Sequence, residues 1–127
     1  MPDSLNAAVF NDWPQDLRAE LSENWMNRQV GSRVVSETDT LRIWHLSLAP
    51  GARAPFHRHE ESYFWTILGA GVSRSHYSDG SIKEARYEAG DTKHFELKDG
   101  DFFVHDLENI GDTPLDFVTV EFKAASA

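Results

Sequence analysis

No cysteine occurs anywhere in the 127 residues. That excludes disulfides, iron–sulfur clusters, thiolate zinc sites and nucleophilic-thiol chemistry, and leaves His, Asp, Glu and Tyr as the side chains able to hold a metal. Positive charge is also scarce. Lys and Arg number 12 against 21 Asp and Glu, a formal net charge of −9, and no basic run is present. A nucleic-acid or anionic-membrane partner needs cations to neutralise phosphates, so neither is expected. The acidic surplus serves solubility. Long apolar runs are missing too: the longest mostly apolar stretch, Tyr63 to Val72, is about half the roughly 20 residues that span a bilayer. The first 30 residues hold no apolar run preceded by positive charge, so no signal peptide is read. The expectation is a cytoplasmic protein.

What remains is one domain's worth of chain, with 40% hydrophobic residues, enough for a single core. Residues 1–31 read as an N-terminal arm with one short helix. Trp13-Pro14 opens it, Asp12 is its candidate N-cap, and Leu17, Leu21 and Trp25 recur every four residues on one face. Gly31 closes it. From 32 to 123 the pattern is β. Val34 and Val35 mark a short strand, Leu41 to Leu48 a longer one, and His57 to Leu68 a third that ends at Gly69 and Gly71. Val72 to Tyr77, Ile82 to Tyr87, Thr92 to Leu97, Phe102 to Leu107 and Leu115 to Lys123 follow, separated by turn signals such as Asp79-Gly80. Residues 124–127 read as a frayed tail. Eight or nine short strands with no second helix indicate an all-β antiparallel sandwich or barrel.

The chemistry-bearing residues are histidines. His57 and His59 are separated by one residue, so on a strand they share a face and can reach one metal ion. A bare pair of this kind is weak evidence. His105, about 45 residues on and just before the turn at Ile110-Gly111-Asp112, is the candidate third ligand. His45 shares a face with Ile43 and reads as a satisfied core histidine or a pocket residue. His76 and His94 have polar neighbours and read as surface residues. Asp106 points away from the face of His105, and Asn109 shapes a turn.

Gly51, His57 and His59, closed by Gly69 and Gly71, resemble the first motif of the cupin superfamily. Gly90-Asp91, His105 and Asn109 resemble the second. The resemblance runs from Leu41 to Phe122 and implies a double-stranded β-helix, or jelly-roll barrel, with a short N-terminal helix added. It implies that the two motifs form facing strands, and that His57, His59 and His105 bind one divalent transition metal. Iron is the first choice, with manganese, nickel or zinc as alternatives. Cupins commonly pair, so a homodimer is expected.

Two departures from that pattern stand out. The first motif usually carries a glutamate four or five residues after its second histidine, where this chain has Tyr63 and Phe64; Glu61 would face inward only if strand alternation continued unbroken from His59. The second motif usually has Pro-x-Gly before its histidine, and here the loop reads Gly100-Asp101-Phe102-Phe103-Val104. Three neutral imidazoles without a carboxylate leave the full charge on the metal, which suits an anionic small-molecule substrate. Tyr63 would then be a fourth ligand, a proton donor or acceptor, a partner of bound water, or a core residue. Trp65 and Phe103 are candidate substrate-binding walls, with core packing as their alternative role. Cupin-type thiol dioxygenases and some cupin lyases resemble this arrangement in part, so dioxygenase-, lyase- or isomerase-type chemistry is one expectation. A non-catalytic binding or sensing barrel is the other.

Overall fold

The computed structural model describes residues 13–123. The candidate N-cap Asp12, the start of the arm and the tail at 124–127 lie outside the described residues. One helix, α1 (Gln15–Glu23), precedes nine strands: β1 (Arg33–Glu37), β2 (Leu41–Leu48), β3 (Arg53–His59), β4 (Tyr63–Ile67), β5 (Gly71–His76), β6 (Ile82–Tyr87), β7 (Thr92–Phe95), β8 (Phe103–Asn109) and β9 (Leu115–Phe122). They form two antiparallel sheets, ordered β1-β2-β9-β4-β7 and β3-β8-β5-β6. Pro14 stands at the helix N-cap, in extended conformation and without a side-chain cap bond.

Period-two alternation puts one face of each sheet inside. On β9, Leu115, Phe117, Thr119 and Glu121 are buried and the residues between them are not. Its partner β2 buries Trp44, Leu46 and Leu48, in register over all eight residues from Leu41↔Phe122 to Leu48↔Leu115. The core between the sheets contains Leu46, Leu48, Ala54, Ile67, Leu107, Leu115 and Phe117. At the glycines Gly51, Gly80, Gly90 and Gly100 the backbone takes positive φ. Each lies in a turn, where a side chain would strain the left-handed conformation.

The chain between His57 and Leu68, expected as one strand, is two. The ladder breaks at Glu60–Ser62, and β3 and β4 belong to opposite sheets. Charge explains the break: Glu60 turns out to meet Arg28 (3.1 Å) and Arg58, and the Ser62 hydroxyl accepts from the backbone N–H of Leu97 (2.9 Å).

A second departure from plain alternation aims His57. Ala54 pairs with Leu107 and His57 with His105, three steps on β3 against two on β8. The extra residue is a β-bulge at Pro55–Phe56, which turns Ala54 and His57 to the same inner face while Phe56 points out. A bulge orphans backbone groups, and α1 with the turn that follows it supplies the missing partners. Glu20 accepts from the Phe56 N–H (3.0 Å), while Asn24 and Asn27 donate to the Phe56 carbonyl (3.2 and 2.9 Å). Phe56 itself packs with Trp13, Leu21 and Val104 beneath the helix.

Candidate metal centre

His57 and His59 from β3 and His105 from β8 converge on the inner face of one sheet, with His57 opposite His105 in the ladder. The two motifs are therefore hydrogen-bonded neighbours, where facing strands were expected. One ring nitrogen from each of the three histidines lies within 4.8 Å of the others, and no carboxylate belongs to the group among the described residues. The Nε2 atoms of His59 and His105 are 3.1 Å apart. Two nitrogens each ~2.1 Å from one ion stand roughly 3.0–3.4 Å apart at right-angled or tetrahedral geometry, so this pair already has the spacing of shared coordination. His57 holds its Nδ1 against the Pro55 carbonyl (2.8 Å), which fixes the tautomer and turns Nε2 toward the group. The Nδ1 atoms of His59 and His105 are buried without a protein partner.

Burial is the first cause lowering all three imidazole pKa values, well below the ordinary range for His59 and His105. The neighbouring imidazoles add to it at His59 and His105. Neutral rings are the form in which imidazole ligates. The donor set thus fits a divalent transition metal.

Tyr63 sits where the cupin pattern has a carboxylate. It is 3% exposed, and its ring lies parallel to those of His59 (4.3 Å) and Phe95 (4.5 Å). Burial pushes its hydroxyl pKa far up. The break at Glu60–Ser62 removes Glu61 from the histidine cluster. Glu61 lines a separate cleft of about 400 Å³ with Glu121, Trp44 and Arg58.

A cavity of about 480 Å³ opens from the histidines. Trp65 is part of its wall, while Phe103 packs on the His59 ring (4.8 Å). Its mouth lies beside the edge strands β6 and β7, where Lys83, Arg86 and Lys93 are set against Glu84 and Asp91. Cations thus hold a small local majority in an acidic protein.

Sequence reasoning missed Tyr77, which bridges to His105 with ring centroids 5.2 Å apart. It also missed Ser73, Ser75 and Tyr87. Alternation on β5, with Ser73 and Ser75 buried and Arg74 between them half-buried, was the signal available. His45 is half-exposed and meets Asp116 (3.3 Å), so it is neither core nor cavity lining. His76, read as a surface residue, is largely buried on the outer face, its Nδ1 3.1 Å from Asp106. Asp106 does turn away from the cavity. Asn109 does shape the turn: its Nδ2 donates to the carbonyls of Leu48 and Thr113 (3.0 and 2.8 Å), and its Oδ1 accepts from Gly111 N–H (3.0 Å).

Two rolled antiparallel sheets with histidines on an inner face define a double-stranded β-helix of the cupin kind. No protein-family model matches the chain, and no curated protein matches it. Solved structures do. A cupin domain from Bordetella pertussis Tohama I is 20% identical, with a TM-score of 0.63 over 72% of this chain and 91% of that one. An uncharacterised conserved protein with a double-stranded β-helix domain from Klebsiella pneumoniae is 27% identical, with a TM-score of 0.53 over 68% of this chain and 70% of that one. An RmlC-like cupin family protein from Methanocaldococcus jannaschii is 19% identical, with a TM-score of 0.56 over 71% and 76%. The chain has the cupin fold. No helix is long and apolar enough to cross a membrane among the described residues.

Proposed function

We propose that the chain is a metal-binding cupin that acts on a small anionic organic molecule, holding one divalent transition metal through His57, His59 and His105. The observation that carries this reading is the clustering of three imidazoles, two buried and one half-buried, with no carboxylate among them, at the end of an open cavity. Iron(II) is the first choice for an all-imidazole set, with manganese, nickel and zinc as alternatives. When bound, such an ion supplies Lewis-acid or redox chemistry at an open coordination position. The reaction class is oxygen insertion or a lyase or isomerase step.

The chain's own residues have separate tasks. His57 is orientated by Pro55, and His59 is braced by the parallel rings of Tyr63 and Phe103. Trp65 and its aromatic neighbours keep water from the substrate's body. Lys83 and Lys93 draw an anion toward the mouth. Tyr63, which burial keeps protonated, is the candidate proton donor to the substrate.

The test is elemental analysis of protein purified without a histidine tag. Wild type should carry close to one metal per chain, and His57→Ala should lose most of it. Tyr63→Phe should keep the metal and lose about 10²-fold or more in turnover. Equal metal content in wild type and His57→Ala would overturn the assignment.

A further inference from the structure

The far end of the cavity has a polar pole of its own. Tyr77 bridges to His105 and Ser73 pairs with Asn109 on β8. Four residues separate the two levels, about 13 Å along the strand. Ser73 is almost fully buried, and its hydroxyl meets the Tyr87 hydroxyl at 2.7 Å. Both line the same cavity as the histidines. Around this pair stand three rings in mutual edge-to-face contact: Trp65 to Tyr87 at 5.5 Å, Trp65 to Phe117 at 5.1 Å and Tyr87 to Phe117 at 5.4 Å.

Two hydroxyls joined by one hydrogen bond retain one further O–H proton and spare lone pairs. Water entering the open cavity can meet that capacity, and a polar group carried in by a ligand can take its place. Ala85, on the cavity side of β6 between Lys83 and Tyr87, keeps the approach open.

We infer that the cavity selects an elongated, two-ended molecule. An anionic head lies at the histidines, a flat aromatic body rests against Trp65, Tyr87 and Phe117, and a terminal hydroxyl is read by the Ser73–Tyr87 pair. The placing of the head rests on the metal reading above; the hydroxyl-reading pole stands on its own contacts. The substrate class is a hydroxyaryl carboxylate with a short linker.

Calorimetric titration of the metal-loaded protein with 4-hydroxyphenyl-alkanoates of increasing linker length, each beside its phenyl counterpart, tests this. At one linker length the hydroxylated probe should bind tenfold or more tighter than its partner, because a site built around a hydroxyl discriminates strongly against its absence. Tyr87→Phe and Ser73→Ala should reduce that ratio toward one, while the phenyl probe keeps its affinity within about twofold and circular dichroism stays unchanged. Equal binding of hydroxylated and phenyl probes at every length would overturn the inference. So would no binding of any probe, or a ratio that survives in both variants. Repeating the titration on His57→Ala separates the two readings. A hydroxyl preference that persists there, with metal content and probe affinity equal to wild type, sinks the metal assignment and leaves the polar pole standing.

Discussion

Asp106 follows a candidate metal ligand in sequence, yet its carboxylate serves the opposite face. It accepts from Arg53 Nε (2.7 Å) and from the His76 backbone N–H (2.6 Å), and it is fully buried. Its loss would orphan the His76 N–H and leave Arg53 to Glu20 alone, so Asp106→Ala should cost about 1–3 kcal/mol by urea denaturation. Glu121 is a different case. Burial is the first cause raising its pKa above the ordinary 4.5, although Trp44 Nε1 donates to it. The native state then keeps a proton that the unfolded state has already lost. Stability from this group is full below pH 4.5 and declines as pH rises through the raised value. Glu121→Gln keeps an acceptor for Trp44 and should flatten the fall in stability above that pH, as read from melting curves across a pH series. Single residues were unevenly legible in the sequence. Spacing placed His57 and His59 on one face without help from the fold. Tyr77, Ser73 and Tyr87 reach the cavity only because β5 lies beside β8 and β6 beside β5, a long-range fact that no local pattern carries.

At the scale of elements, the strand count and most boundaries followed from turn chemistry. The split of β3 from β4 did not, because Glu60–Ser62 contains neither glycine nor proline. The bulge at Pro55–Phe56 was hidden for a related reason: its orphaned backbone groups are met by a helix and the turn after it, some 30 residues upstream. That helix contributes no side chain to the cavity lining among the described residues, yet Glu20 holds the bulge that aims His57. Glu20 also grips Arg53 with both oxygens (2.8 and 2.6 Å). Glu20→Ala should therefore lower metal affinity about 10-fold, the lower end of the usual effect of residues that position ligands. Competition against a coloured chelator measures this, and His76→Gln, on the same outer face, serves as the control that should leave affinity near wild type.

For the molecule as a whole, alternation and turn spacing announced a two-layer β structure, while the pairing order of the sheets is a tertiary fact that no stretch of sequence contains. Among the edge strands of the described residues, the most fully exposed is the first. β1 is an edge strand exposed along its whole length, with Val34 at 42% and Val35 at 51% exposure. Unpaired edges with apolar side chains invite pairing with another chain, and the expected homodimer would use this one. Sedimentation equilibrium should give twice the 14.4 kDa chain mass, and Val34→Lys should return it to the monomer; a wild-type monomer at all concentrations would rule the dimer out. The interruption at Glu60–Ser62 reaches further than its three residues suggest. It leaves all three imidazoles on one wall and the phenol of Tyr63 on the other. Spreading of the walls would part the phenol from the imidazoles without changing the spacing among the imidazoles themselves. Under the metal reading proposed above, the β3–β8 ladder would set the spacing of the ligands, and the contact between the walls would set how the phenol meets them.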